Sequence, residues 1–275
     1  EPRRLAARAA ARRMAETLSE PVGRTVGYRV RMDAKVSAAT RIEVVTSGVF
    51  VRLIADDPEL GGVAAVLFDE IHERALDTDL GLALALDSQG ALRPDLKLLA
   101  MSATADAERI AGLLGGAPVV ESLGRSFPVE TAYAPPAPRT RMEDAVADAV
   151  RRTLREETGS VLAFLPGRAE IERTMERLAD LPADIDLVPL HGGLDGRAQD
   201  AAIRPAPAGR RKVVLATPIA ETSITIDGVR VVIDAGFARR PRFEPATGLT
   251  RLVTERVSRA AADQRRGRAG RTGPG

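Results

Sequence analysis

Two carboxylates and a histidine directly follow an apolar run in the first half of the chain. Residues 63–68 are apolar and lead into Asp69, Glu70 and, after one apolar residue, His72. A buried parallel strand that ends in two carboxylates places them at the carboxyl edge of a sheet, where open α/β folds bind ligands. There the first carboxylate can hold Mg²⁺, and the second can orient or deprotonate an attacking water. An acidic residue after a strand is also a common helix N-cap, so the motif alone leaves both interpretations open.

Arginines interleaved with glycines near the end of the chain supply the complementary charge. Residues 264–271 read Gln-Arg-Arg-Gly-Arg-Ala-Gly-Arg, and Ser258 can cap a helix that runs into them. If that helix persists, the spacing places Gln264, Arg268 and Arg271 on one face. A guanidinium suits phosphate because its planar fork pairs two oxygens and never loses its charge. A solvated basic helix end does not account for the two glycines, which weaken a plain helix and are expected here to allow close backbone approach.

Three further segments place polar groups where a phosphate-handling protein would use them. Ser102 and Thr104 follow another apolar run and could form a short hydroxyl relay, although both residue types are also ordinary helix caps. The loop 217–228 combines several hydroxyls with two carboxylates, which favours contacts to a nucleotide or to backbone phosphates. Arg3 and Arg4 precede a helix and could contact a phosphodiester.

The composition is that of a globular protein that folds in water, with 44% hydrophobic and 28% charged residues among 275. No apolar run approaches the length of a membrane span, so no membrane association is expected. The absence of cysteine excludes disulfides and cysteine-ligated metals, and it fits a reducing cytoplasm, which is the expected location. No feature of the sequence indicates a protein partner.

Apolar, β-branched runs alternate with segments of helical period, which predicts an α/β fold with parallel sheets and crossover helices. Strands are predicted at residues 41–46, 63–68, 97–101, 161–165, 186–190, 212–216 and 229–234, with a hairpin at 239–243 and 249–253. Helices are predicted near residues 4–18, 48–55, 78–87, 105–114, 142–157, 168–179 and 194–203. Prolines mark one linker at 126–138, which separates a first domain of residues 1–125 from a second of residues 139–275.

Taken together, these segments resemble the DEAH-box class of superfamily 2 helicases, and most closely its bacterial HrpB-type branch. The resemblance covers the chain in order, with motif Ia at residues 1–8, Ib at 46–53, II at 69–72, III at 102–104, IV at 164–167, V at 216–228 and VI at 264–271. Residues 124–130, 207–215 and 247–252 resemble the HrpB-type branch in particular.

The resemblance implies two RecA-like domains, with ATP bound between them and single-stranded RNA or DNA across their surface. By similarity, Asp69 holds Mg²⁺ through water and Glu70, beside the same metal, positions the attacking water. His72 is expected to couple this site to Gln264. The implied activity is ATP hydrolysis coupled to single-strand tracking or unwinding.

The resemblance also assigns roles to residues outside the acidic motif. Arg268 and Arg271 would reach the γ-phosphate from the second domain, with Arg271 the better candidate for an arginine finger. Ser102 and Thr104 would link hydrolysis to domain motion. The remaining residues are nucleotide sensors in motif V, Ser223 and Asp227, and expected nucleic-acid contacts, Arg3, Arg4, Thr46, Thr217 and Thr222.

One motif of the family does not occur in these 275 residues. It is Gly-x-x-x-x-Gly-Lys-Ser/Thr, the P-loop that cradles the β- and γ-phosphates. Helicases of this class carry it upstream of motif Ia, so the chain is expected to be an internal fragment whose first RecA-like domain lacks the P-loop strand and which is inactive alone. A nucleic-acid-binding remnant without turnover is the alternative, and a different phosphate enzyme with an acidic metal site is a third.

Overall fold

The chain folds as two compact units, Glu1–Leu123 and Gly124–Gly275. The computed structural model describes residues 1–103, 107–122, 127–221, 226–271 and 273–275. Parallel strands connected by helices form the main sheets of both units, so the predicted α/β class is confirmed. In the part of the chain that is described, no helix is both long and apolar enough to cross a membrane.

The strands of the first unit form two separate small sheets. They are β1 (Val26–Val30), β2 (Asp33–Lys35), β3 (Ile42–Val45), β4 (Ala65–Phe68) and β5 (Lys97–Ala100). One sheet has the order β2-β1-β3, and β4 and β5 form a parallel pair. The sequence analysis missed β1 and β2, since Gly27 interrupts the apolar pattern. The structure explains this glycine, because a Cβ there would lie 2.4 Å from the carbonyl oxygen of Lys35.

Helices cover one side of each sheet of the first unit. They are α1 (Arg4–Thr17), α2 (Ser47–Asp56), α3 (Leu76–Ala91) and α4 (Ala107–Leu113). Alanines spaced by four along α1, at Ala7, Ala11 and Ala15, are buried and let the helix lie close against β1. The core beneath β4 is centred on Phe50 of α2 and Phe68 of β4, whose rings meet edge to face at 5.5 Å.

The second unit is built on one four-stranded parallel sheet of order β7-β8-β6-β9. Its strands are β6 (Ser160–Phe164), β7 (Ile185–Leu190), β8 (Arg211–Ala216) and β9 (Val229–Asp234), followed by the antiparallel hairpin of β10 (Phe237–Glu244) and β11 (Leu249–Arg256). Its helices are α5 (Met142–Glu156), α6 (Arg168–Arg177), α7 (Gly196–Ile203) and α8 (Arg259–Arg266). Every residue of β6 is buried, so the centre of this sheet is covered on both faces.

Candidate functional site

A sharp turn places Asp69 and Glu70 at the carboxyl end of β4. Glu70 has left-handed backbone angles, φ 51° and ψ 36°, and the chain then enters a short 3₁₀ turn, Ile71–Glu73. The Glu70 N–H donates to Asp69 Oδ1 at 2.8 Å, and the Ile71 N–H donates to the carbonyl of Met101 at 3.2 Å. These bonds fix the turn that carries Asp69 and Glu70, called the acidic turn below, beside the end of the neighbouring strand, β5.

The His72 ring bridges the acidic turn and the segment that follows β5. Its side chain is only 5% exposed, with Nε2 at 3.4 Å from Glu70 Oε2. The Ala103 N–H donates to Nδ1 at 3.3 Å, so Nδ1 is the accepting nitrogen and Nε2 is the one that can donate toward Glu70. The sequence predicts that His72 acts toward Gln264 but does not predict this link to Ala103, because the two segments are 31 residues apart and carry no shared pattern.

Glu1 is a third carboxylate at this position, and no sequence argument singled it out. Burial is the main cause that raises the pKa of the Glu1 carboxyl to about 8, and its hydrogen bond with Asp69 and the charges of Asp69 and Glu70 add to the effect. Among the residues the structure describes, Glu1 Oε2 finds no hydrogen-bond partner although it is buried. The neighbouring carboxylates of Asp69 and Glu70 thus favour the protonated form of Glu1.

The carboxylate oxygens at this position suit one particular mode of Mg²⁺ binding. Mg²⁺ is usually bound through one or two carboxylates while it keeps several waters and contacts substrate phosphates. Asp69 and Glu70 match that mode, whereas the carboxyl of Glu1, whose pKa is raised to about 8, is mostly protonated at neutral pH and adds little negative charge. The described ranges contain no group of three or more acidic, histidine or cysteine side chains arranged to hold a metal alone. The site therefore fits a water- and phosphate-held ion rather than an all-protein cage.

The start of α1 contacts the 3₁₀ turn, and the start of α2 is connected to it through Glu1. Arg3 is the N-cap residue of α1, and its guanidinium lies 3.6 Å from Glu73 Oε2, at the end of the 3₁₀ turn. Thr46 is buried as the N-cap residue of α2. The Ser47 N–H donates to the carbonyl of Glu1 at 3.0 Å, which ties the two helix starts together. Arg4, one residue into α1, is exposed.

In the second unit, α8 is shorter than the sequence predicts. The Ser258 Oγ accepts from the Ala261 N–H at 3.2 Å, which confirms the predicted cap. The predicted continuation of the helix through Arg271 is wrong, because the helix ends at Arg266 and the chain passes into tighter turns after Gly267. Gln264, Arg268 and Arg271 therefore do not share one helical face.

The two arginines beyond α8 have different surroundings. Arg268 is buried, and its guanidinium donates to the carbonyl of Glu221. Arg271 is exposed, and Gln264 is half-buried on α8. Of the two guanidinium groups, that of Arg271 is therefore the more exposed to solvent.

The expected close backbone approach is confirmed for one of the two glycines. A Cβ on Gly270 would lie 2.7 Å from the carbonyl oxygen of Phe127 and 2.7 Å from a methyl group of Val129. The Phe127 N–H also donates to the Gly270 carbonyl at 3.1 Å, so the proline-rich segment packs on this turn. At Gly267 the nearest atom would be 3.4 Å away, which is ordinary contact.

Motif V residues lie at the carboxyl ends of β8 and before β9. Thr217 follows β8, and its N–H donates to the carbonyl of Leu190 at 3.0 Å. Asp227 is exposed in the turn that precedes β9. Thr104, Thr222 and Ser223 lie outside the described residues. Arg265, which the sequence analysis passed over, is completely buried among the polar groups of this region.

Comparison with known proteins identifies relatives over the whole chain. The helicase conserved C-terminal domain matches residues 144–273. The chain is 57% identical over its full length to the ATP-dependent RNA helicase HrpB of Escherichia coli, of which it spans 34%. It is 40% identical to the pre-mRNA-splicing factor ATP-dependent RNA helicase prp22 of Schizosaccharomyces pombe, of which it spans 24%.

Solved structures agree with the sequence comparison. The crystal structure of the Escherichia coli DEAH/RHA helicase HrpB superposes with a TM-score of 0.93, and the match covers all of this chain and 35% of that one. A crystal structure described as the E. coli DExH-box NTPase HrpB superposes with a TM-score of 0.83 over 34% of its chain. The present chain thus spans about a third of the length of these relatives or less.

Proposed function

Because this chain belongs to the DEAH/RHA helicase family over its whole length, we propose that it supplies motor elements of an ATP-dependent helicase. The motor couples ATP hydrolysis to tracking along, or unwinding of, a nucleic acid. The observation that carries the proposal is the acidic turn after β4, with His72 held between Glu70 and Ala103. The relatives named as RNA helicases favour RNA over DNA as the strand that is bound.

In the first unit, the side chains of the acidic turn have separate proposed roles. Asp69 holds Mg²⁺ through water, and Glu70 positions the water that attacks the γ-phosphate of ATP. When bound, the ion neutralises charge on the phosphate oxygens. The His72 ring holds Glu70 on one side and the backbone after β5 on the other, so the position of Glu70 depends on the segment that contains Ser102 and Thr104.

In the second unit, Arg271 is the proposed arginine finger. Arg271 is exposed to solvent, and a guanidinium suits the charge that develops on the γ-phosphate. Arg268 is also assigned to the phosphate, although its guanidinium lies on the carbonyl of Glu221 in this structure, so it would have to leave that bond to reach a nucleotide. Gln264 is the proposed partner of His72, and Ser223 and Asp227 are the proposed nucleotide sensors.

Single-stranded nucleic acid is the proposed second ligand. Arg3, Arg4 and Thr46 lie at the starts of α1 and α2, where helix N-termini and guanidinium groups favour phosphate. Thr217 and Thr222 are the corresponding proposed contacts of the second unit. Aromatic residues make up only 3% of the sequence, so base stacking contributes little and binding follows the phosphate backbone.

Hydrolysis of ATP by the full-length natural protein, measured with and without single-stranded RNA or DNA of mixed sequence, tests this proposal. The expected result is hydrolysis that RNA stimulates, together with binding that is sequence-tolerant and falls steeply with salt. Binding without any hydrolysis would favour a nucleic-acid-binding protein without turnover. Hydrolysis that neither strand changes, or a flat salt response, would contradict the proposal.

A further inference from the structure

Arg265 carries a completely buried charge. Its neighbours in sequence, Gln264, Arg268 and Arg271, are the residues of the second unit that are proposed to act at the nucleotide. The side chain is 0% exposed, and it is the largest fully buried side chain among the described residues. Removing a guanidinium from water costs several kcal/mol, so the arrangement persists only if its surroundings satisfy the charge and its donors. Arg265 lies on α8 directly after Gln264.

The five N–H groups of the Arg265 guanidinium all have acceptors. Nε and Nη2 donate to Glu221 Oε1 at 2.8 and 2.5 Å, and Nη1 donates to Asp234 Oδ1 at 2.5 Å. Nη1 and Nη2 each also donate to the carbonyl of Phe237, at 3.3 and 3.4 Å. The guanidinium lies 4.9 Å from the centre of the Phe164 ring, within range of a cation–π interaction.

These acceptors come from separate parts of the second unit. Glu221 ends the short 3₁₀ turn Pro218–Ala220 that follows Thr217, Asp234 ends β9, and Phe237 begins β10. A single side chain of α8 therefore holds the start of motif V, the end of a central strand and the base of the hairpin.

Glu221 is held at its side chain by α8 and at its backbone by the segment that follows α8. Its carboxylate accepts from Arg265, and its carbonyl accepts from Arg268, three residues further along. This double attachment fixes the orientation of residue 221 relative to α8. A rigid connection of this kind transmits a displacement of the motif V turn directly to the segment that carries Gln264 and Arg271.

We propose that Arg265 is a positioning residue that couples the binding of single-stranded RNA to ATP hydrolysis. Through Glu221 it fixes Thr217, a proposed nucleic-acid contact, relative to Arg271, the proposed arginine finger. The inference rests on the proposed function, since both ends of the connection are assigned there. Arg265 itself contacts neither ligand in this account.

An alternative explanation of Arg265 is that it only stabilises the fold. Lysine in its place keeps the charge but loses the planar fork that reaches Glu221, Asp234 and the Phe237 carbonyl together. Glu221→Gln keeps the shape of the partner and removes its charge. Both changes weaken the connection with little loss of volume.

The test is the RNA-stimulation ratio, which is kcat for ATP with saturating single-stranded RNA divided by kcat without RNA, in the full-length natural protein. A loss of folded molecules lowers both rates in proportion and leaves this ratio unchanged. Arg265→Lys and Glu221→Gln are each expected to lower the ratio by about tenfold, in the range typical of coupling between two sites. Arg266→Lys, on the exposed side of the same helix, is the matched control and should keep the wild-type ratio.

Each outcome decides the inference. An unchanged ratio in both Arg265→Lys and Glu221→Gln, whatever the total activity, would show that Arg265 only stabilises the fold. If Arg265→Lys does not fold, the RNA-stimulation ratio of Glu221→Gln alone decides in the same way. The ratio of Asp234→Asn is a third measurement on the same cluster. A wild-type protein that RNA does not stimulate would overturn the proposed function first, and this inference with it.

Discussion

The two units of the chain cover their parallel strands in different ways. In the second unit, Leu162 and Ala163 of β6 are both buried, although neighbouring residues of a strand point to opposite faces of the sheet. In the first unit, Leu67 of β4 is 57% exposed and Leu99 of β5 is 49% exposed, whereas the alternate residues pack on the core. The second unit therefore stabilises its sheet with its own helices, and the first leaves one apolar face of β4–β5 uncovered by the residues described.

The units also differ in the charge of their candidate site residues. The first unit presents the carboxylates of Asp69 and Glu70, both partly exposed. The second unit carries guanidinium groups on α8 and in the segment after it, with Arg265 and Arg268 buried in hydrogen bonds and Arg271 exposed. Similar α/β architecture thus supplies opposite charges, and the members of the two sets differ in how far solvent reaches them.

The largest effect is expected at Arg271. Arg271→Ala should lower the rate of ATP hydrolysis by about 10³-fold, as the loss of an arginine finger does. Arg266→Ala is the matched control, because Arg266 is also exposed but forms a surface ion pair with Asp263 at 3.3 Å. Single-turnover hydrolysis in the full-length natural protein measures both. Equal losses in the two variants would contradict the assignment of Arg271.

A pair of leucine substitutions tests the difference in sheet coverage. Leu215→Ala, at a completely buried residue of β8, should lower the free energy of unfolding of the second unit by about 2–5 kcal/mol through loss of burial and a residual cavity. Leu99→Ala, on the open face of β5, should lower that of the first unit by less than about 1 kcal/mol. Denaturant-dependent hydrogen exchange of the 275-residue chain, followed by mass spectrometry, measures each unit separately. A large loss from Leu99→Ala would mean that this face is covered.

The two glycines after α8 should respond oppositely to alanine. Gly270→Ala places a methyl group 2.7 Å from the Phe127 carbonyl oxygen and should cost about 1–3 kcal/mol as the segments move apart. Gly267 has φ −60° and 3.4 Å of clearance, so Gly267→Ala should be neutral or slightly stabilising because it restricts the unfolded chain. Thermal unfolding of the second unit compares the two. Destabilisation by Gly267→Ala as large as that by Gly270→Ala would refute the contact argument.

The smallest effect is expected at the helix caps. The Ser258 hydroxyl accepts a backbone N–H of α8, so Ser258→Ala should cost about 1 kcal/mol in the second unit. Thr46 caps α2 without a side-chain hydrogen bond among the described residues. Thr46→Ala should therefore not lower the free energy of unfolding of the first unit through the loss of a cap hydrogen bond. Denaturant unfolding monitored for each unit gives the difference. A capping loss at Thr46 equal to that at Ser258 would contradict the described geometry.

Structural features that follow from a local sequence pattern could be predicted, whereas features that depend on tertiary contacts could not. Strands β4 to β9 appear as apolar runs in the sequence, and the acidic turn follows β4 directly. β1 escaped detection because Gly27 is required by a neighbouring strand rather than by its own segment. The role of Arg265 was equally hidden, since its partners Glu221 and Asp234 are 44 and 31 residues away.

The length of α8 shows a similar limit. The spacing of Gln264, Arg268 and Arg271 fits one helical face, but a helix also needs each following residue to continue its hydrogen bonding. Gly267 and the contact of Gly270 with Phe127 end it instead. Residue spacing alone could not reveal that stop, because the packing partner lies more than a hundred residues earlier in the chain.

Glu70→Gln in the full-length natural protein tests the central claim most directly. Glutamine keeps the size of the side chain and removes the charge that positions the attacking water. ATP affinity should stay nearly unchanged while hydrolysis falls by at least about 10²-fold, and the exposed Glu108→Gln should behave as wild type. Equilibrium binding of ATP and single-turnover hydrolysis, measured on the same preparations, give both quantities. Retained hydrolysis in Glu70→Gln would contradict the account.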